Sequence, residues 1–424
     1  MIPVHRRPRW PAERVYLLYS AATALLFGLI FTASAIYQVT LAHLDALQLV
    51  LVGTVLEFSI FLFEIPTGVV ADVKSRRLSV IIGTVLVGCG FLLEGSWPSF
   101  LPILLAQVVW GLGVTFTSGA LQAWISDEIG EEKAGAAFLR GAQFEQIGEL
   151  IGIFPAIALS FWRVNVPILV GGGLFILLAL LLVRVMPEEG FRPTPPDQRT
   201  TWQHMASTLR DGLSMLRRRP VLVTILGIGL FYGLYSEGFD RLWTPLLLER
   251  FTFPAQGTIP VLVWFGLINA GALLISMLAN AWAQRRIDLA RSSQLVRTFA
   301  ASSAALVAGL AIFAVSRNLA LTIGMFWSVS MLRRLNYPLY TAWVNQRLEP
   351  QVRATVISLS SLVDALGQIV AGPLVGLLAR ETSLQNGILA SAALLSPVLL
   401  LFFRARKEEK PQDRQDIQDG KSIN

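Results

Sequence analysis

Apolar residues in this chain run in long unbroken blocks and do not alternate with polar ones. Six stretches hold no Asp, Glu, Lys or Arg: 15–44, 101–126, 164–183, 251–284, 298–316 and 382–403. A helix rises about 1.5 Å per residue, so roughly 20 residues cross a hydrocarbon core of about 30 Å. The blocks and their polar breaks predict twelve spans, near 14–38, 46–70, 77–96, 99–127, 133–160, 164–185, 221–248, 257–284, 294–315, 319–346, 352–379 and 383–403. Period-two alternation, the mark of an outer-membrane barrel, is missing. One long connection, 186–220, holds Pro187, Pro193, Pro195 and Pro196 and ends in Arg217, Arg218, Arg219 and Pro220. It reads as a cytoplasmic linker with a short amphipathic helix around Trp202–Leu216. The linker divides the chain into a six-helix bundle at 14–185 and a second at 221–403, with polar ends at 1–13 and 404–424. The last of these is charged enough to be disordered.

Composition supports lipid as the solvent. Only 15% of residues are charged and 54% are apolar, against about 25% charged in soluble domains. The net charge of +7 would suit nucleic acid, but its distribution argues otherwise. With the N-terminus in the cytoplasm, 27 of the 35 Lys and Arg residues fall on the cytoplasmic side. The opposite side holds four, Arg163, Arg250, Arg317 and Arg380, and four more (Arg140, Arg241, Arg333, Arg334) lie within spans. That bias predicts an inner- or plasma-membrane protein with both termini in the cytoplasm. The first apolar run is too long for a cleaved leader and reads as a retained span. The single cysteine, Cys89, excludes an internal disulfide and reads as a small buried hydrophobe.

The two halves resemble each other. A shift of 219 residues places Ala123-Trp124 on Ala342-Trp343, Glu145 on Asp364, Gly148 on Gly367 and Leu150-Ile151 on Ile369-Val370. Parallel six-helix repeats joined by a linker are one layout of secondary transporters. Between the second and third spans stands Gly68-Val-Val-Ala71-Asp72-Val-Lys74-Ser75-Arg76-Arg77. Here the chain resembles the major facilitator superfamily, whose pattern at this place reads G-x-L-A-D-R-x-G-R-R. It keeps the glycine, the Ala-Asp pair and both arginines, with Val73 and Ser75 at the two departures.

The resemblance implies an all-α membrane protein of two pseudo-symmetric bundles working by alternating access. It also implies a gating role for Gly68, Asp72, Arg76 and Arg77. Gly68 would let helices approach closely, and Asp72 would sit at the N-terminus of the eleventh span, near Val352, where the helix dipole favours an anion. Gly148-x-x-x-Gly152-x-x-Pro155 and Gly372-Pro373-x-x-Gly376 are similar to a motif of the drug:proton antiporter branch. The fourth span lacks the arginine common in family exporters, and the first span has no acid.

Ionisable groups at membrane depth cost several kcal/mol unless paired or hydrated, so each is a candidate for function. They are Glu57 in the second span, Glu145 and Glu149 in the fifth, Glu237, Asp240 and Arg241 in the seventh, Arg333 and Arg334 in the tenth, and Asp364 in the eleventh. Arg333 and Asp364 lie at similar depth on neighbouring spans, so Asp364 is the expected partner of Arg333 or Arg334. Glu237 and Arg241 are four residues apart and can pair along their helix. Glu145 and Glu149 share a face, which would favour a proton on one of them.

The three histidines lie outside the span interiors, and no phosphate-binding loop G-x-x-x-x-G-K-[ST] occurs. An enzyme or an ATP-driven pump is therefore not expected, and no cofactor is implied. The reading is a monomeric, proton-coupled exporter of amphipathic small molecules or drugs. Uptake or lipid flipping on the same fold, or a binding protein that transports nothing, are the alternatives.

Overall fold

The computed structural model describes residues 10–193, 220–255, 257–286, 292–347 and 350–404. The expected amphipathic helix at Trp202–Leu216, the residues before Trp10 and the tail beyond Arg404 lie outside these. The described chain is almost wholly helical. Seven helices precede the linker: α1 (Ala12–Thr40), α2 (Ala46–Val73), α3 (Arg76–Ser96), α4 (Phe100–Thr117), α5 (Ala120–Ile129), α6 (Glu131–Ser160) and α7 (Val166–Val185). Six follow it: α8 (Pro220–Arg250), α9 (Val261–Arg286), α10 (Ser292–Val315), α11 (Leu319–Arg347), α12 (Pro350–Glu381) and α13 (Leu384–Leu395). The apolar span begun by α13 continues to Arg404 across a turn at Ser396-Pro397.

Side-chain caps mark several helix starts. Asp45 and Gln48 cap α2 reciprocally, each side chain accepting from the other's backbone amide (2.8 and 3.0 Å). Ser75 caps α3 by accepting from the Leu78 amide at 2.9 Å, and Ser383 caps α13 from the Asn386 amide at 3.2 Å.

The fourth span, expected to be continuous over 99–127, is broken. Gly119 adopts φ +67° between α4 and α5, a left-handed backbone that glycine takes without a Cβ penalty. Cys89, expected inside, is exposed on α3. Among the described residues, ten of the spans are apolar enough to cross a membrane by length and composition. The two long helices missing from that set are α6 and α11, which carry Glu145, Glu149, Arg333 and Arg334.

Two compact units emerge. The first holds Met1–Gln48, Val55–Met205 and Thr252–Asn269, the second Leu49–Thr54, Ala206–Phe251 and Ala270–Asn424. Within the first, α1 and α6 meet backbone to backbone. A Cβ on Gly28 would overlap the Glu149 carbonyl, and one on Gly152 would overlap the Leu25 carbonyl. The second repeats this between α8 and α12: a Cβ on Gly233 would overlap the Asp364 carbonyl, and one on Gly367 would come 2.8 Å from the Leu230 oxygen. Small residues that let backbones touch are the usual basis of helix association in lipid. The sequence repeat is thus a repeat of packing.

Candidate transport site

In the second unit, α8 carries Glu237, Asp240 and Arg241 within about one helical turn. Arg333 of α11 reaches across and donates from Nη1 and Nη2 to the two Asp240 oxygens, the second at 2.7 Å. This forked geometry adds direction as well as charge compensation. The guanidinium carbon lies 5.6 Å from the ring centroids of both Tyr235 and Phe239. The expected Arg333–Asp364 pair is therefore corrected: Arg333 is held by Asp240. Depth alone suggested Asp364, but the turn of α11 points Arg333 at α8. Asp364 instead accepts from Gln368 Nε2, one turn along its own helix, at 2.8 Å. Arg334 is exposed.

The expected Glu237–Arg241 contact is present, with Arg241 Nε donating to Glu237 Oε2 at 3.3 Å. Glu237 is buried. Gly53, in the short α2 stretch that belongs to this unit, lies against the pair, and a side chain there would overlap Glu237.

A layer of neutral polar groups lies one turn from Arg333. Asn336 Nδ2 donates to the Tyr232 hydroxyl at 2.8 Å, and Tyr232 and Ser303 share a hydroxyl contact at 2.9 Å. The Ser302 hydroxyl donates to Asn336 Oδ1, and Tyr340 pairs with Ser360. Tyr232 and Tyr340 are among the aromatic residues near the charges in the sequence, whereas Ser302, Ser303, Asn336 and Ser360 were not singled out, because neutral polar side chains barely alter hydropathy.

In the first unit, Glu145 accepts from the Ser20 hydroxyl of α1 at 2.9 Å and is exposed. Glu149 and Glu57 are partly buried on α6 and α2. A carboxylate that sequence reasoning passed over is the most enclosed among the described residues. Glu94, 1% exposed, accepts from Ser34 Oγ (3.1 Å) and Gln38 Nε2 (2.9 Å) of α1 and from Gln107 Nε2 (3.2 Å) of α4. Gln107 Oε1 in turn accepts from the Trp110 indole at 2.8 Å. Trp110 belongs to a cluster of rings with Phe27, Phe31 and Phe91, spaced 5.2–6.4 Å.

The motif between α2 and α3 has partners the sequence did not identify. Arg76 donates to Asp127 and, at 2.9 Å, to the Ala123 carbonyl. Arg77 donates from its side chain to the Val183 carbonyl at 2.6 Å and from its amide to Glu188 at 2.9 Å. Ser75, where the family prefers glycine, donates to Glu188 (2.7 Å) as well as capping α3. Glu128 accepts from the Glu189 and Gly190 amides at 2.6 and 2.7 Å, and the Trp124 indole donates to the Pro187 carbonyl at 2.8 Å. The start of the linker is thus fastened under α3 and α5. Asp72 lies partly buried in the last turn of α2. For Gly68, expected at a close approach, a Cβ would meet no described atom within 4 Å.

Residues 15–363 match the family model described as Major Facilitator Superfamily. The chain belongs to the major facilitator superfamily. It is 23% identical over 396 residues to an uncharacterized MFS-type transporter, YxaM, of Bacillus subtilis (strain 168), covering 91% of this chain and 94% of that protein. Among solved structures it is similar to the nucleoside transporter NupG, with TM-score 0.73, 14% identity, and 93% and 99% of the two chains covered. It is also similar to a bacterial homolog of the human lysosomal transporter Spinster, at TM-score 0.71, 14% identity, and 94% and 97% coverage. Identities this low establish the fold alone. The chain is a multi-pass membrane protein of the MFS transporter type, a family of carriers.

Proposed function

We propose that this chain is a monomeric, proton-coupled exporter of amphipathic small molecules in the cell membrane, with both termini cytoplasmic. The observation that carries the reading is the Asp240–Arg333 pair: two opposite charges, partly open, set among aromatic rings on two helices of one unit. A solute with a polar head and an apolar body finds both kinds of contact there. Such charges are retained at membrane depth, despite their cost, mainly where they line a solute or ion path. Glu145 and Asp364, equivalent in the repeat, supply one carboxylate per bundle for proton movement. Alternation then follows from rocking of the 14–185 and 221–403 bundles, with Gly68, Asp72, Arg76 and Arg77 as the gate.

A susceptibility screen of an efflux-deficient host expressing the chain identifies solutes and direction. In liposomes, Glu145→Gln and Asp364→Asn should each lower proton-gradient-driven accumulation roughly tenfold, equivalent to about 1.4 kcal/mol, with monodispersity unchanged. Wild-type accumulation by both variants would remove these two carboxylates from the coupling path.

A further inference from the structure

The two partners of the Asp240–Arg333 pair are unequally committed. Arg333 spends Nη1 and Nη2 on Asp240, has aromatic rings near its guanidinium and is 26% exposed. Asp240 is the more open partner, 41% exposed. An ionised carboxylate offers about four acceptor positions, and the arginine fork occupies two of them. A donor group can therefore land on Asp240 without disturbing the pair. Arg333 keeps three further N–H donors, but the rings of Tyr235 and Phe239 lie beside its guanidinium and it is the less open partner, so the charge the pair presents outward is chiefly that of the carboxylate, which repels an anion. A neutral acceptor gains nothing from Asp240. Three residues further along α8, on the same side of the helix, Trp243 stacks on Phe326 at 4.2 Å. This puts an apolar, π-rich surface about one turn from the carboxylate, and ring faces also attract cations.

We propose that Asp240 is the head-group contact of the transport site and that its solute is an amphipathic amine in the protonated form. Arg333 is a positioning residue that aims the carboxylate. This inference rests on the transport reading above and gives it a substrate class.

Three probes with one aromatic body and different heads test it: naphthylethylamine, its N-acetyl amide, and naphthylacetate. The purified full-length chain is reconstituted in liposomes, and binding and gradient-driven movement are measured for each. The amine is expected to bind and move, the amide at least roughly tenfold more weakly, and the acetate not at all. Asp240→Asn should erase the preference for the amine over the amide, and Asp240→Glu should restore part of it. Arg333→Lys should lower the amine-to-amide ratio, whereas a merely structural arginine would lower all transport alike. Preference for the acetate, an unchanged amine preference in Asp240→Asn, or failure of all three probes would each overturn the amine assignment. The transporter reading itself falls only if, in addition, no solute found by the susceptibility screen moves under any ion gradient.

Discussion

At Glu94 a carboxylate is enclosed by amide and hydroxyl donors from α1 and α4. Truncation to Ala would take from Ser34 and Gln38, both buried, the acceptor they use, and would leave Gln107 Nε2 with the Ile103 carbonyl at 3.3 Å. Glu94→Ala should therefore destabilise the protein by about 1–3 kcal/mol, seen as a lower unfolding midpoint in detergent. Glu94→Gln keeps an acceptor and should lose less. An Ala variant as stable as the wild type would mean the cluster does not tie the helices. Glu94 was hidden in the sequence because it stands two residues before the end of α3, where a charge is ordinarily read as reaching water. Gln38 and Gln107, toward the same ends of neighbouring helices, were the available signal. Arg333, Asp240 and Glu237 were visible as charges within apolar runs. The choice of Asp240 over Asp364 was not, since depth is read from residue counts while azimuth depends on how each helix is rotated in its bundle.

Between elements, the glycines decide how close two helices come. Gly152 brings α6 onto the Leu25 carbonyl of α1, and Gly367 brings α12 onto α8. Gly152→Val should cost about 1–3 kcal/mol through overpacking, whereas Gly173→Val on α7, where a Cβ meets nothing within 4 Å, should be nearly neutral. Thermal unfolding of the two variants side by side checks the contrast, and equal stability would refute close packing at Gly152. The glycine spacing on these helices was legible in the sequence. The break between α4 and α5 was not, because Ser118-Gly119 sits inside an apolar block and one glycine in a helical run does not reveal its φ. Ser75 was read as a departure from the family pattern. Its hydroxyl caps α3 and holds Glu188, contacts glycine cannot make.

Over the whole molecule, the 219-residue repeat was legible because its markers carry structure: Trp124 and Trp343 are both 1% exposed. The repeat is not complete in its hydrogen bonds. Trp124 donates to Pro187, while the Trp343 indole has no partner among the described residues. Trp124→Phe should thus cost about 1 kcal/mol more than Trp343→Phe, and comparing the two unfolding midpoints tests this. The polarity of α6 and α11, which set them apart from the other spans, also bears on how the chain is made. An arginine at mid-helix adds roughly 2.5–3.5 kcal/mol to the cost of membrane insertion. The helices that relieve α6 and α11 come earlier in the chain: α1 offers Ser20 to Glu145, and α8 offers Asp240 to Arg333. As synthesis proceeds from the N-terminus, each polar helix leaves the ribosome after its partner, so the order of translation supplies a protein surface to receive the spans that lipid alone would accept least readily.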